Sequence, residues 1–220
     1  MVRSAAALAL SALALAMGCG PASEGARASA PAWTAPPAGV QGASSGTRAE
    51  RYFPLVDGHV YAYATSNEAG EQGILVARVH RSGDREGELR FPSGVKRFEY
   101  AAEGVVLAGK GAFVLKEPIA VGTSWVGEHG GQARILGVEA TIEVPAGRFT
   151  GCVQTIEVRG GDRPARYVST FCPDVGVVSL EAESSTSYER ADLKSYGPPM
   201  QVGPDGLQRI DVAPPPASPP

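Results

Sequence analysis

Clustered basic charge is missing from this chain of 220 residues, whose formal net charge is −3. No long run of either sign occurs, and acidic residues alternate with apolar ones along several segments. A nucleic-acid-binding protein usually carries a basic excess gathered on one face. We therefore expect no nucleic-acid partner.

Metal-binding and catalytic patterns are also missing. The three histidines, His59, His80 and His129, are far apart and form no H-x-x-x-H pair, and no P-loop, Rossmann glycine set or zinc pattern occurs. Asp57-Gly58-His59 is typical of a solvated turn rather than of a ligand set. We expect no metal, no cofactor and no catalytic residues, and hence no enzyme. An envelope hydrolase remains a remote alternative, because paired carboxylates could meet only in the fold.

No apolar run is long enough to cross a bilayer as a helix, which takes about 20 residues. The longest, Ala5–Met17, follows Arg3 and precedes small residues. A short apolar run with these flanks is typical of a cleavable secretory signal. We assign the signal peptide to residues 1–18.

A cysteine falls directly after this signal. Ala16-Met17-Gly18-Cys19 resembles a lipobox, although Leu15 lies one residue earlier than the usual leucine. Cysteine is required there because its sulfur forms the thioether to diacylglycerol, and two or three acyl chains anchor a protein firmly. We therefore predict lipidation at Cys19 and a membrane partner through this anchor. Because Gly20 is not the Asp that retains lipoproteins in the inner membrane of enteric bacteria, the outer membrane is favoured, and the periplasmic or surface face stays open.

Low-complexity segments flank the foldable part of the chain. Residues 19–50 are rich in Ser, Gly, Ala and Pro, and residues 198–220 hold eight of the eighteen prolines. Such composition buries little apolar surface and stays flexible. We predict a flexible linker over 19–50, one domain over 51–197 and a disordered Pro-rich tail over 198–220.

Two cysteines remain once lipid has consumed Cys19, and an exported protein is expected to pair them. Residues 151–159 and 165–172 are predicted strands around a turn with two glycines. If this hairpin is centred on Asp162, Cys152 lies opposite Cys172, and Ile156 lies opposite Val168. Directly opposed Cβ atoms are close enough for a disulfide. We predict a structural disulfide between Cys152 and Cys172.

The domain shows alternation of apolar and polar residues with frequent short turns, as in Glu139–Val144. This pattern indicates strands, and no segment keeps a helical apolar pattern for three turns. Residues 184–196 are ambiguous, and we favour a final strand. We predict an all-β antiparallel meander of nine to eleven strands that curls into a half-barrel or barrel-like sheet. A sandwich stays open.

Four segments occur together in a familiar order: Tyr52–Gly58 (YFPLVDG), Pro118–Trp125 (PIAVGTSW), Val144–Cys152 (VPAGRFTGC) and Cys172–Val178 (CPDVGVV). In this order they resemble a group of uncharacterised bacterial envelope lipoproteins, with a departure at Val60, where that group usually has Trp. The resemblance implies an envelope β-domain and no reaction. The strand layout is also similar to that of half-barrel carriers of lipids and lipoproteins. Trp125 and Phe149 are predicted to be core residues.

Two functions remain open. In the first, which we favour, the domain has a structural role or interacts with other envelope proteins. In the second, the curled sheet carries a lipid or another apolar ligand. They differ in the interior, since a carrier keeps an apolar cavity of about 300–1,000 Å³. The first is favoured because large apolar residues are scarce: the chain has six Phe and two Trp.

Overall fold

The computed structural model describes residues 48–203 and 206–209. The predicted signal peptide, Cys19 and the linker up to residue 47 lie outside the described residues. The elements of the described residues are α1 (Arg48–Tyr52), β1 (Val60–Asn67), β2 (Gln72–Arg81), β3 (Glu86–Phe91), β4 (Gly94–Ala101), β5 (Gly104–Leu107), β6 (Ala112–Lys116), β7 (Ser124–Val126), β8 (Gln132–Val144), β9 (Gly147–Arg159), β10 (Ala165–Cys172), β11 (Gly176–Ser184), β12 (Tyr188–Gly197), β13 (Met200–Gly203) and β14 (Gly206–Arg209).

Twelve of these strands form one antiparallel sheet, in the order β6-β5-β4-β3-β2-β1-β12-β11-β10-β9-β8-β7. Apart from the pair β1–β12, neighbours in the sheet are also neighbours along the chain, so two meanders are joined through β1 and β12. The edge strands β6 and β7 meet where the indole N–H of Trp125 donates to the carbonyl of Phe113, at 2.9 Å. The sheet is therefore nearly closed. The prediction of an all-β, barrel-like meander is confirmed.

The sheet has one strand more than the upper end of the predicted range. The shortest strands are β7, with three residues, and β5, with four. A strand of three or four residues is too short to show a convincing alternation in the sequence. Tertiary pairing with longer neighbours forms these strands.

The β9–β10 hairpin has the predicted register. Ile156 lies opposite Val168, and Val153 lies opposite Phe171. The structure joins Cys152 and Cys172 by a disulfide, with their Cα atoms 4.2 Å apart. Both cysteines are fully buried, so this bond closes the hairpin inside the core rather than at the surface.

Bulges bend the longest strands. Pairing between β8 and β9, of 13 residues each, shifts register at three places between Ile135 and Ile142. Two residues near these shifts, Glu139 (φ 60°) and Gly151 (φ 69°), have left-handed backbone conformations. A bulge adds local bend and twist to a strand. These irregularities allow a twelve-stranded sheet to curl back on itself.

The helix α1 covers one end of the sheet. Ala49 is fully buried, and its N–H donates to Glu117 Oε1 at 2.6 Å. The hydroxyl of Tyr52 donates to the carbonyl of Gly151 at 3.2 Å. The folded unit therefore includes residues 48–50, which were predicted to belong to the linker. This boundary shifts because one buried alanine and one backbone contact are too little for composition to reveal.

A hairpin occupies part of the segment predicted to be a disordered tail. Strands β13 and β14 pair in register from Met200–Arg209 to Gly203–Gly206. The sequence between them contains Pro-Asp-Gly, a combination typical of turns. This local turn signal outweighs the high proline content, and the structure corrects the prediction for these residues. The remainder of the tail, residues 210–220, lies outside the described residues.

Candidate functional site

The interior of the sheet holds a cavity of about 840 Å³. Its wall is made by alternate residues of successive strands, such as Tyr61, Tyr63 and Thr65 of β1 and Thr155 and Glu157 of β9. Alternation places every second side chain of a strand on the inner face. The volume lies within the range of about 300–1,000 Å³ that is usual for small-molecule sites.

Aromatic and aliphatic side chains form the base of the cavity, at the α1 end. The ring of Phe53, which follows α1, lies 4.9 Å from that of Phe98 and 6.3 Å from that of Phe171, between centroids. Leu55 completes this layer and is almost fully buried. The base is therefore an apolar surface of buried side chains in mutual contact.

Tyrosine hydroxyls in the wall are already hydrogen-bonded within the protein. Tyr61 donates to the carbonyl of Val175 at 3.0 Å, and Tyr63 donates to that of Val177 at 3.1 Å. Burial raises the pKa of both hydroxyls well above the ordinary tyrosine value. These residues therefore stay neutral and offer mainly their ring surfaces to the cavity.

The cavity exists because the middle of the wall carries short side chains. Ala77, Ala133, Ala182 and Ala191 all face it from different strands. Side chains of this size cannot meet across the interior, whereas Phe53, Phe98 and Phe171 fill the base. Leu180 also lines the cavity and is still 37 % exposed. An apolar side chain left open inside the sheet is a site for apolar contact.

The opposite end of the sheet is the mouth of the cavity. It is formed by the connections β1–β2, β7–β8 and β11–β12, whose neighbouring residues line the cavity and are partly or fully exposed. The connections β2–β3, β4–β5, β6–β7, β8–β9 and β10–β11 lie at the α1 end, which the helix covers. A ligand would therefore enter through the mouth, with its apolar part directed towards the base.

A polar cluster lies on one side of the mouth. Glu157 is buried, with 7 % of the residue exposed. One oxygen of its carboxylate accepts hydrogen bonds from the backbone N–H groups of His129 (3.0 Å) and Gly131 (2.8 Å). Its other oxygen lies 3.0 Å from His129 Nδ1. A Cβ at Gly127 would lie 2.3 Å from the carboxylate carbon, so this loop needs glycine there.

The imidazole of His129 has contacts on one ring face and at both ring nitrogens. Its ring stacks on Tyr167, with centroids 3.7 Å apart and planes 7° apart. Its Nε2 lies 3.2 Å from Glu128 Oε1, and the same oxygen is 2.8 Å from Lys96 Nζ. Both ring nitrogens of His129 therefore lie within hydrogen-bond distance of a carboxylate oxygen.

A second charged group lies on the outer face of the sheet, because Arg190 lies opposite Glu181 and alternates with the inward-facing Ala191. Arg190 pairs with Asp192 at 2.7 Å and with Glu181 at 3.0 Å. The hydrogen bond to Asp192 raises the pKa of this guanidinium above its ordinary value. Arg190 is therefore a permanent cation that is already bound to two carboxylates.

The histidines named in the sequence analysis are not brought together. His80 lies 3.6 Å from Asp57, at the α1 end and outside the cavity lining. The backbone of His59 bonds with Val56 and Val79 in a turn at the same end. The structure buries Trp125, while Phe149 is partly buried beside Tyr196. Of these residues, His129 and Trp125 line the cavity.

The cluster around Glu157 was missed by sequence reasoning, although a signal was present. Glu157 lies two and four residues after Thr155 and Val153 on one strand, so alternation places a carboxylate on the same face as an apolar residue. A buried carboxylate must be hydrogen-bonded. The glycine-rich loop from Gly127 to Gly131 supplies its donors, but nothing in the sequence says that this loop folds over β9.

Comparisons with known proteins give a likeness in fold. No family model matches the chain, and no curated protein matches it. A protein from Bacteroides fragilis, described as exported and as having a YmcC-like fold, is 12 % identical, with a TM-score of 0.43 over 66 % of this chain and 98 % of that chain. A protein from Parabacteroides distasonis, described as a lipoprotein, is 12 % identical, with a TM-score of 0.40 over the same shares.

The described residues contain neither a membrane-spanning helix nor a cluster of metal-binding side chains. None of their helices has the length and apolar character needed to span a membrane. None of their His, Cys, Asp and Glu side chains gather in threes in a way that could hold a metal ion.

Proposed function

We propose that this protein is a lipid-anchored protein of the bacterial cell envelope whose barrel-like domain binds an apolar ligand. The observation that carries the proposal is the cavity of about 840 Å³, with an apolar base and an open mouth. Protein interiors are normally packed to the density of organic crystals. A domain that leaves this much of its inner face uncovered gives up packing that a purely structural protein would use.

The envelope location is supported by the sequence. Residues 1–18 resemble a lipoprotein signal, and Cys19 follows at the position that lipid modifies. The disulfide between Cys152 and Cys172 fits an oxidising compartment. The membrane is thus the first partner, through the anchor, and we propose the outer membrane because Gly20 follows Cys19.

We further propose that the cavity is not catalytic. General acid–base catalysis needs a group that can exchange a proton with the substrate. In the described structure both ring nitrogens of His129 are held by Glu157 and Glu128. The arrangement suits a fixed polar wall better than a catalytic dyad.

A structural or interaction role is the competing proposal, and it was favoured on the scarcity of large apolar residues. The arrangement of the cavity supports a different explanation for the scarcity of large apolar residues. Phenylalanines fill the base, Trp125 lies at the junction of β6 and β7, and four alanines face the interior from the wall. Few large side chains therefore leave room for a ligand, rather than indicating that none is bound.

Native mass spectrometry of the full mature chain tests the proposal. The protein would carry Cys19→Ser and be exported behind a cleavable signal. We expect an adduct of lipid size that is lost on denaturation, or one that forms on addition of dodecanol. Ala182→Trp, which places a large ring in the cavity, should abolish binding. Ala64→Trp is the matched control, because Ala64 alternates with the inward-facing Tyr63 and Thr65 and does not line the cavity.

The outcomes separate the two proposals. Loss of the adduct in Ala182→Trp but not in Ala64→Trp supports a ligand inside the sheet, provided that both variants keep a cooperative thermal transition. A bare protein mass before and after addition of dodecanol would contradict the carrier proposal and leave the structural role.

A further inference from the structure

We infer that the ligand is an amphiphile whose head group is uncharged or cationic, and that the mouth rejects an anionic head group. This inference rests on the proposed function, because it concerns the selectivity of the same cavity. It is carried by the distribution of charge around the mouth and by the pairing of each cation there.

Carboxylates outnumber cations in the cavity lining. Four glutamates line it, against one lysine and one histidine: Glu71, Glu128, Glu157, Glu189, Lys96 and His129. Glu181 and Arg190 also border it, but their side chains face outward, because they alternate with the inward-facing Ala182 and Ala191. The charged residues of the lining lie near the strand ends that form the mouth, while the base is apolar. A ligand with its chain directed to the base therefore places its head group among these charges.

The lysine of the lining is already bound to a carboxylate, and so is Arg190 on the adjoining outer face. Lys96 donates to Glu128 at 2.8 Å, and Arg190 pairs with Glu181 at 3.0 Å. An anionic head group could take one of them only by displacing a carboxylate that is held at hydrogen-bond distance. Displacement would leave that carboxylate unpaired at a partly buried site, which is costly.

Two of the glutamates have no cationic partner among the described residues. Glu71 accepts a hydrogen bond from the neutral amide of Asn67 at 2.7 Å, and Glu189 has no ion pair. These residues lie at the mouth on the two strands that flank β1: Glu71 directly precedes β2, and Glu189 is the second residue of β12. Two uncompensated negative charges attract a cation and repel an anion entering between them.

These charges determine which head group is accepted more than how tightly the ligand binds. Binding energy comes from the apolar base, which accepts any chain that fits. The mouth then separates ligands by an unfavourable interaction with the wrong head group. Electrostatic energies near a protein surface fall with salt, so the preference should weaken at high ionic strength.

Three probes with one chain length test this inference. Dodecylamine, dodecanol and dodecanoate would compete with a fluorescent apolar dye, at neutral pH, low salt and concentrations below micelle formation. We expect dodecylamine to bind about tenfold more tightly than dodecanoate, with dodecanol between them.

Charge variants locate the source of the preference. Glu71→Gln combined with Glu189→Gln should bring the affinities for the amine and the carboxylate closer together and leave that for dodecanol unchanged. Glu183→Gln is the matched control, because its carboxylate pairs with Arg166 at 3.2 Å outside the cavity lining. That variant should keep the full preference.

The possible results distinguish the inference from the proposed function. Binding of dodecanol, together with equal or tighter binding of dodecanoate than of dodecylamine, would overturn the inference and leave the carrier proposal intact. Failure of all three probes to displace the dye, or failure of the dye itself to bind, would overturn both.

Discussion

Individual residues near the mouth decide whether the loop over β9 can form. Gly131 is the clearest case, since an added Cβ there would lie 2.5 Å from the carbonyl oxygen of Val158, which is a backbone atom. The N–H of Gly131 also donates to the buried carboxylate of Glu157. This glycine therefore serves both packing and hydrogen bonding.

We expect Gly131→Ala to lower the free energy of unfolding by about 2 kcal/mol, because overpacking of this kind typically costs 1–3 kcal/mol. Urea denaturation measures the change. Gly160→Ala is the matched control, because nothing lies within 4 Å of a Cβ built there. Equal stability of the two variants would show that the loop is free to move away from β9.

Buried tyrosines make the stability of the domain sensitive to alkali. Burial raises the pKa of Tyr61, Tyr63 and Tyr100 above the ordinary value. The folded state then binds more protons than the unfolded state once pH exceeds the unfolded pKa of about 10. Their contribution to stability is complete below that pH and is lost as pH rises towards the raised folded pKa.

We therefore expect the urea midpoint to fall between pH about 9 and pH about 11, where unfolded tyrosine ionises. The variant Tyr61→Phe with Tyr63→Phe should show a shallower fall, because it removes two of the titrating groups. An equally steep fall in that variant would assign the alkaline sensitivity to other residues.

At the scale of elements, the sequence predicted local hairpins but not the long-range contacts that position other elements. The β9–β10 register followed from one centred turn and two opposed cysteines. Residues 184–196 were correctly favoured as a strand, and β12 covers Tyr188–Gly197. The helix α1 was not predicted, because five residues cannot show a helical period. Its position is fixed by distant groups, among them Glu117 and Gly151.

The disulfide should be the strongest single constraint within a hairpin. Replacing both cysteines by alanine opens a loop with a sequence separation of 20 residues. We expect a loss of about 3 kcal/mol in the free energy of unfolding, from the greater chain entropy of the unfolded state. Urea denaturation of oxidised protein, reduced protein and the double variant measures it. A similar stability for all three would mean that the hairpin is held by its neighbours alone.

At the scale of the whole molecule, closure and the cavity could not be derived from the sequence. The two meanders form one sheet only because β1 pairs with β12, as in Val60 opposite Gly197, which lie at opposite ends of the domain sequence. The alternation of apolar and polar residues indicates which face of a strand is buried, but not which other strand pairs with it. The cavity is a sum over the inner faces of many strands, and single alanines such as Ala77 and Ala191 carry no local signal for it.

The junction between β6 and β7 has a mechanical consequence. All other neighbours in the sheet are joined by ladders of backbone hydrogen bonds, whereas these two strands meet through the indole of Trp125 and the carbonyl of Phe113. The sheet is therefore closed at this point by one side-chain hydrogen bond and not by a backbone ladder. Because release of this one side-chain bond would leave every strand ladder intact, we expect the sheet to open at this junction before it opens between any two paired strands.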